Sequence, residues 1–313
     1  MTRAERIAAR AERRAKREER ARQLGTLVSA PPKIEPTDAV SFVRADGQPL
    51  HLNGIYQGAS VFLTLSGPSI NELDLSKLHR RGVVTFGCNN STAIFRPNIW
   101  LAVDPCEKFH SALWLDPFTL KLISSRKFGD RMRVKLPNGT FDRMKDSSGR
   151  EILVREMPNV AGYVRNSFYN PSTWLSEPTI NWGNSKKSAN RNHQPRILNS
   201  MLALIKCSYV LGFRTVYLLG CDFSMSSEKP YAFEQEGDRE KAISNNNGFR
   251  TMNQLFHELR PQFEAAGFNV LNCNPLSGLT AFDHISYDEA IERATSHIQQ
   301  KLDTVGWYDK KIG

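Results

Sequence analysis

The sequence predicts an α/β protein with a doubly wound parallel sheet. From residue 58 onward, short apolar runs alternate with longer segments of helical periodicity, and small or polar residues follow each apolar run. Buried strands that alternate with amphipathic helices are typical of a parallel sheet with helices on both faces. We therefore expect one main sheet whose strand ends gather polar residues along a single edge.

The strands are predicted from short apolar runs that are bounded by Gly, Pro, Asn or Asp. The clearest run is Val61-Phe62-Leu63-Thr64-Leu65, whose length suits a buried strand. The predicted strands are 60–65, 83–87, 99–103, 215–219 and 268–272, with an edge strand at 40–43 and two further candidates at 132–136 and 151–155.

Helices are predicted over 70–80, 196–212, 249–266 and 287–302. The second of these is apolar on most sides and ends at Gly212, a residue that readily adopts the left-handed conformation after a last helical turn. Because a helix that is apolar on most sides is usually buried, we expect it to lie against the sheet.

Composition divides the chain into four parts. Residues 1–25 form a basic arm that is expected to be helical when ordered. Residues 26–57 are rich in Pro and are predicted to be a linker, 58–302 form the α/β domain, and 303–313 form a tail.

Two polar segments interrupt the α/β pattern within the domain. They are 105–195, which is rich in Asn, Ser and Trp, and 224–248. Long loops inside a compact domain often form lids or binding loops. We interpret both segments as insertions that cover the site.

The basic arm has two interpretations. The chain has a net charge of +10, and the first 23 residues hold nine Lys or Arg and four Glu. A charge run of mixed sign is usually a solvated helix, whereas a basic arm can also bind nucleic acid through phosphate contacts. Both interpretations stay open at this point.

Composition also argues against several classes of protein. No apolar run is long enough to span a membrane, and the N-terminus lacks the apolar core of a secretory signal. The five cysteines are odd in number and widely spaced, without a CxxC pair. This spacing argues against a disulfide framework and against structural zinc, and we expect a cytoplasmic protein.

Polar residues follow every one of the five main strands. An apolar strand that turns through glycine into a helix start can bind a phosphate, and carboxamides can both donate to and accept from a nucleobase or sugar. The residues that follow the strands, in chain order, are Ser66-Gly67-Pro68-Ser69, Cys88-Asn89-Asn90, Asp104, Cys221-Asp222 and Cys273-Asn274. Together they predict a binding pocket at the carboxyl edge of the sheet.

These residues also carry a family resemblance. The Ser66-to-Ile70 loop, Cys88-Asn89, the tract Gly212 to Phe223 and Tyr231-Ala232-Phe233 resemble the bacterial sialyltransferases of glycosyltransferase family 42. They also resemble the related flagellin nonulosonate transferases and hydroxymethylpterin diphosphokinases. The resemblance covers roughly 58–104 and 196–280 and implies a Rossmann-like transferase domain.

The resemblance implies a site for a nucleotide-activated sugar, commonly a CMP-sugar. It assigns donor binding to Ser66, Gly67, Ser69 and Asn89, to Asn199 and Ser200 at the start of the long helix, and to Tyr231, which would contact the donor phosphate. The chain departs from the family in two places. It has Ser66 where the family usually has Asn, and it lacks the family's lid histidine between Asp222 and Arg250.

A general base must therefore come from elsewhere in the chain. Glycosyl transfer needs a group that takes the proton of the acceptor hydroxyl. The candidates are His193, which precedes the long helix, the carboxylates Asp104 and Asp222, and His110.

Three functions are compatible with these residues. The first is a nucleotide-sugar-dependent glycosyltransferase that requires no cofactor and acts on a glycan or a modified nucleic acid. The second is a diphosphokinase that uses ATP and Mg²⁺, with Asp104 and Asp222 as metal ligands. The third is a non-catalytic binding protein associated with nucleic acid.

Overall fold

The computed structural model describes residues 40–136, 138–166, 168–181, 199–234, 239–298 and 300–301. The chain divides into two units, Met1–Glu35 and Pro36–Gly313, and every described residue belongs to the second. The predicted basic arm, the tail at 303–313 and His193 lie outside the described residues.

One nine-stranded sheet organises the domain. Its order is β1-β8-β5-β4-β3-β2-β11-β12-β13, and every neighbouring pair is parallel except β1 with β8. The strands of this sheet are β1 Phe42–Val43, β2 Ser60–Thr64, β3 Thr85–Cys88, β4 Ile99–Ala102, β5 Leu120–Ser124, β8 Val160–Tyr163, β11 Thr215–Leu219, β12 Asn269–Asn272 and β13 Asp283–His284. The predicted α/β fold with a mostly parallel sheet is confirmed.

In the part of the chain that the structure describes, two small sheets lie outside the main one. The first is an antiparallel hairpin of β6 Arg133–Lys135 and β7 Phe141–Arg143, and the second pairs β9 Arg165–Asn166 with β10 Ile180–Asn181. The α-helices among the described residues are α1 Ser111–Leu115, α2 Ser200–Leu211, α3 Arg239–Ala265 and α4 Tyr287–Thr295. None of the helices in the described part is both long and apolar enough to cross a bilayer.

Side chains that alternate along the strands build a core on each face of the sheet. In β2, Val61 and Leu63 join the apolar cluster that contains α2 and α3, whereas Phe62 joins the cluster that contains α4. Successive strand residues point to opposite faces, so a strand that is apolar throughout is buried on both sides. The prediction that α2 lies against the sheet is confirmed, and Gly212 ends it with a φ of 103°.

The predicted helix at 70–80 is wrong. Two short 3₁₀ helices, Pro68–Glu72 and Leu75–His79, replace it, and Leu73 between them is extended. The Asp74 side chain accepts a hydrogen bond from the Ser76 amide at 3.1 Å and so starts the second helix. Asp at this position favours a new helix start over continuation of the previous one.

Residues within the predicted linker and the first predicted insertion belong to the main sheet. Within 26–57 the predicted edge strand at 40–43 is confirmed as β1, and Tyr56 stacks on Phe213 with ring centroids 4.5 Å apart, so the described part of this segment packs against the domain. From the segment 105–195, β5 and β8 extend the sheet beyond β4. That segment is therefore not wholly an insertion.

Strands β5 and β8 were not predicted, and each contains a residue that is unusual in a central strand. Strand β5 contains Lys121, a charged residue that is nevertheless fully buried. Strand β8 contains Gly162, where a Cβ atom would lie 2.5 Å from a ring carbon of Phe128. Because charged residues and glycine are depleted in strands, neither sequence has the pattern of a central strand.

The second predicted insertion, 224–248, is shorter than expected. Helix α3 begins at Arg239, ten residues before the predicted start at 249. Its first turns are rich in Asn and Ser, which are poor helix formers, so the sequence pattern hides them.

Candidate active site

A cleft of about 690 Å³ lies at the carboxyl edge of the main sheet. The sheet continues from β2 through β3 and β4 on one side and through β11 and β12 on the other, so the order in which successive strands are added reverses between the parallel neighbours β2 and β11. Open α/β sheets bind ligands in the crevice at such a switch point. The predicted site residues that line the cleft are Ser66, Gly67, Asn89, Asn90, Asp104, Asn199, Ser200, Asp222 and Tyr231.

The loop after β2 passes extremely close to the loop after β11. The Gly67 amide donates to the Gly220 carbonyl oxygen at 2.9 Å. A Cβ atom on Gly67 would lie 2.5 Å from that oxygen and 2.7 Å from Cγ of Asp222. Only glycine allows the two loops to approach this closely, which holds the backbone of both at the cleft.

Asp222 holds the glycine loop in place. Its Oδ2 accepts from the Ser69 amide at 3.2 Å, and its Oδ1 accepts from the Ser69 hydroxyl and from Nδ2 of Asn274 at 2.8 Å. Ser69 and Asn274, both predicted site residues, are thus partners of this carboxylate. They do not line the cleft, and Pro68, a third predicted site residue, does not line it either. With three protein donors on one carboxylate, Asp222 is better suited to positioning than to proton transfer.

We expect Asp222→Asn to weaken ligand binding in the cleft by about tenfold, since it turns one acceptor of this network into a donor that faces another donor. Isothermal titration of the wild-type protein and the variant with a panel of nucleotides, the class of ligand predicted from the sequence, measures the change. Asp283→Asn is the matched control, because Asp283 pairs with Arg260 elsewhere in the fold. Equal affinity of Asp222→Asn and wild type would contradict the positioning role.

Asn89 links the ends of β3 and β4. Its φ of 48° is left-handed, its Oδ1 accepts from the Val103 amide at 3.3 Å, and its carbonyl oxygen accepts from Nε1 of Trp100 at 2.9 Å. These contacts fix the side chain at the cleft wall. The side-chain nitrogen of Asn89, Nδ2, has no hydrogen-bond partner in the described part of the chain, so it can donate to a ligand.

Helix α2 begins at the cleft. Oδ1 of Asn199 accepts from the Met201 amide at 2.7 Å and caps the helix, and Ser200 and Met201 line the cleft. The remaining N–H groups of the first turn are potential donors to an anion, and the helix dipole favours negative charge there. Asn199 therefore acts first as a helix cap.

The segment that contains Tyr231 is tied to the glycine loop. The Ala232 amide donates to the Ser66 carbonyl oxygen at 2.9 Å, and Nδ2 of Asn71 donates to the Ala232 carbonyl oxygen at 2.9 Å. The rings of Tyr231 and Phe233 stack with centroids 5.1 Å apart, and both line the cleft. This segment forms one wall of the site.

Asp104 occupies another wall, and its carboxylate has fewer protein partners than that of Asp222. Its side chain is 43% exposed, and Nζ of Lys108 lies 3.4 Å from its Oδ1. Nζ of Lys127 donates to the carbonyl oxygens of Val103 at 2.6 Å and Asp104 at 2.7 Å, and burial lowers the pKa of Lys127. Lys127 thus holds the loop while the Asp104 carboxylate stays accessible.

The remaining base candidate among the described residues, His110, lies outside the cleft, and a further histidine, His257, has a partner elsewhere. Nδ1 of His110 accepts from the Ala112 amide at 3.1 Å and caps α1, and His110 does not line the cleft. His257, inside α3, lies 3.1 Å from the hydroxyl of Thr280. In the described ranges, no group of three or more His, Cys, Asp or Glu is arranged to hold a metal ion.

Several cleft residues were not predicted from the sequence. They come from the segment after β4, from the β6–β7 hairpin, from the segment after β11 and from α3, and they include Glu107, Lys108, Lys135, Phe141, Phe223, Met225, Asn245 and Phe249. One signal could have revealed the hairpin, because Asn138-Gly139 between alternating segments is a strong turn sequence. Nothing local marks the others as neighbours of the site.

Fold and cleft define an α/β protein with a polar binding site at the switch point of its sheet. No protein-family model and no curated protein matches the sequence. Two solved structures resemble the fold. The MAf glycosyltransferase from Magnetospirillum magneticum AMB-1 matches with 14% identity and a TM-score of 0.42 over 79% of this chain and 35% of its own. This chain therefore spans about a third of that protein.

The second solved structure is the sialyltransferase CstII from Campylobacter jejuni, in complex with a substrate analogue, cytidine-5′-monophosphate. It matches with 14% identity and a TM-score of 0.39 over 74% of this chain and 86% of its own.

Proposed function

We propose that the protein is a cytoplasmic glycosyltransferase that takes a nucleotide-activated sugar and transfers the sugar to an acceptor hydroxyl. The observation that carries the proposal is the cleft of about 690 Å³, which the Gly67 loop, Asn89 and the first turn of α2 all line. Its size falls within the range of small-molecule sites. The family resemblance of the same loops supports the same function.

In the proposed complex the donor phosphate lies along the Gly67 loop. The close contact between Gly67 and Gly220 holds the backbone of this loop at the cleft wall, and the side-chain amide nitrogen of Asn89 donates to the nucleotide or the sugar. The first turn of α2 and the Tyr231 hydroxyl stabilise the negative charge that develops on the leaving phosphate.

Asp104 is the proposed general base. Its carboxylate takes the proton of the acceptor hydroxyl while the acceptor oxygen bonds to the anomeric carbon. The bond between that carbon and the phosphate oxygen breaks, and the leaving nucleotide keeps the electron pair. The proposed transfer uses no metal ion and no cofactor.

A thermal-shift panel tests this function. CMP-, UDP- and GDP-sugars, free CMP and ATP are each added with Mg²⁺ and with EDTA. We expect a nucleotide sugar to stabilise the protein in EDTA, by about 2.7 kcal/mol at one hundred times its Kd. CMP is the first probe, because CstII was solved with it.

Two outcomes would contradict the proposal. The first is the absence of a shift with every nucleotide. The second is a shift with ATP alone that EDTA removes, which would instead support a Mg²⁺-dependent diphosphokinase. Nucleotide release from the stabilising donor, measured with and without added saccharides, then reports the transfer itself.

A further inference from the structure

One face of the β6–β7 hairpin presents a cation and an aromatic ring to the cleft. Lys135 and Phe141 are cross-strand partners, and both line the cleft. Residues two apart on a strand share a face, so Arg133 and Arg143 lie on this same face. The hairpin thus presents its most basic side to the site.

Most charges near this face already have partners. Arg131 and Arg143 pair with Glu151, and Arg133 lies 3.5 Å from an oxygen of Glu107. Lys135, by contrast, has no carboxylate partner among the residues that the structure describes. A lysine without an internal partner at a cleft wall can bind an acidic group of a ligand.

The ring of Phe141, next to Lys135, is also exposed at the cleft wall. Phe141 is 45% exposed although it is a large apolar side chain at a cleft wall. An exposed aromatic face beside a polar site suits the apolar face of a sugar ring, which gains from the area it buries there.

The hairpin is anchored well enough to act as a fixed wall. Met132 at its base is fully buried, and its amide donates to the Ile152 carbonyl oxygen at 2.9 Å. The Met144 amide donates to the Met132 carbonyl oxygen at 3.0 Å, and the thiol of Cys106 contacts the Arg131 carbonyl oxygen at 3.4 Å. These contacts fix the direction of the face.

The hairpin is also displaced from the glycine loop along the sheet. The loops after β2 and β11 meet at the switch point, whereas Arg133 contacts Glu107 in the segment that follows β4. Two strand spacings of about 4.8 Å separate β4 from β2, which precedes the glycine loop, or roughly 10 Å. The face therefore meets a part of the substrate that is remote from the donor phosphate.

We propose that Lys135 and Phe141 form an acceptor subsite for an acidic sugar residue. Phe141 packs against the sugar ring, and Lys135 binds its carboxylate. A nucleobase would use the ring but carries no charge for Lys135, whereas an acidic sugar uses both side chains. This inference rests on the proposed function, because it takes the ligand of this face to be the acceptor.

The test uses the full chain and two saccharide probes. A glucuronate-containing hyaluronan tetrasaccharide and its carboxyl-reduced, neutral counterpart are titrated by calorimetry against wild type, Lys135→Gln and Phe141→Ala. We expect the acidic probe to bind wild type about tenfold more tightly than the neutral one. Lys135→Gln should remove this preference, and Phe141→Ala should weaken both probes.

Matched controls separate the face from general effects. Lys145→Gln removes an exposed lysine just beyond the hairpin, and Phe118→Ala removes a ring that is 79% exposed and does not line the cleft. Both controls should bind the probes as wild type does. The shift with CMP should be the same in all five proteins, because the face does not bind the nucleotide.

Each other result overturns the subsite. Equal binding of the acidic and neutral probes, no binding of either, or unchanged affinity in both variants would do so. Loss of the CMP shift in Phe141→Ala would assign the ring to the nucleobase instead. If wild type binds the acidic probe but no nucleotide, the subsite stands and the glycosyltransferase proposal fails, so the two failures are distinguishable.

Discussion

Gly67→Ala is expected to reduce nucleotide binding by at least about a hundredfold. The new Cβ would lie 2.5 Å from the backbone carbonyl oxygen of Gly220 and 2.7 Å from Cγ of Asp222, whose carboxylate is held by Ser69 and Asn274. The loops after β2 and β11 must then separate, which opens the site at the switch point and displaces the donors around it. Calorimetric titration with the nucleotide that stabilises wild type measures the loss.

Gly129→Ala is the control for this change. A Cβ at Gly129 meets nothing within 4 Å, so this variant should bind nucleotide and unfold as wild type does. Thermal unfolding without ligand shows whether Gly67→Ala still folds cooperatively. A folded Gly67→Ala protein with wild-type affinity would contradict the idea that close loop contact builds the site.

Lys121→Met is expected to lower the free energy of unfolding by about 3 kcal/mol, or roughly 1 kcal/mol for each carbonyl that loses its donor. Nζ of Lys121 donates to the carbonyl oxygens of Asp116, of Thr119 at 3.2 Å and of Pro158 at 2.7 Å. Burial lowers the pKa of this ammonium to about 8, and the three acceptors match its three donors. Methionine keeps much of the volume but satisfies none of them.

Urea-induced unfolding followed by far-UV circular dichroism checks this expectation. For a domain of this size the loss corresponds to a decrease in Tm of about 8 °C. Lys145→Met, at an exposed position, should change the stability by less than about 0.5 kcal/mol. A loss in Lys121→Met as small as that of the control would mean that the three carbonyl contacts do not hold β5 in the sheet.

The five main strands and the buried helix α2 could be predicted because consecutive apolar residues in the sequence indicate that these segments are buried. Strand β2 is apolar at consecutive positions since both of its faces are covered, and α2 is apolar on most sides for the same reason. The edge that carries the polar residues followed from this pattern, because parallel strands place their carboxyl ends together. Nine of the predicted site residues line the cleft.

The role of Asp222 could not be predicted from its position after a strand. A carboxylate there is equally suited to a metal ion, a proton or a protein donor, and the choice depends on which groups the fold brings to it. Asn274 reaches it across a separation of 52 residues, and Ser69 across one of 153. The sequence around Asp222 does not indicate which distant residues will contact it.

The sequence by itself determined the α/β class, the strands on either side of the switch point and the glycine between them, because these depend on local burial and backbone freedom. Tertiary structure decided that a strand with a buried lysine belongs in the sheet, that Asp222 holds a loop, and that Lys135 and Phe141 face the cleft. Each of these depends on contacts between groups remote in the chain, whose partners exist only once the chain has folded.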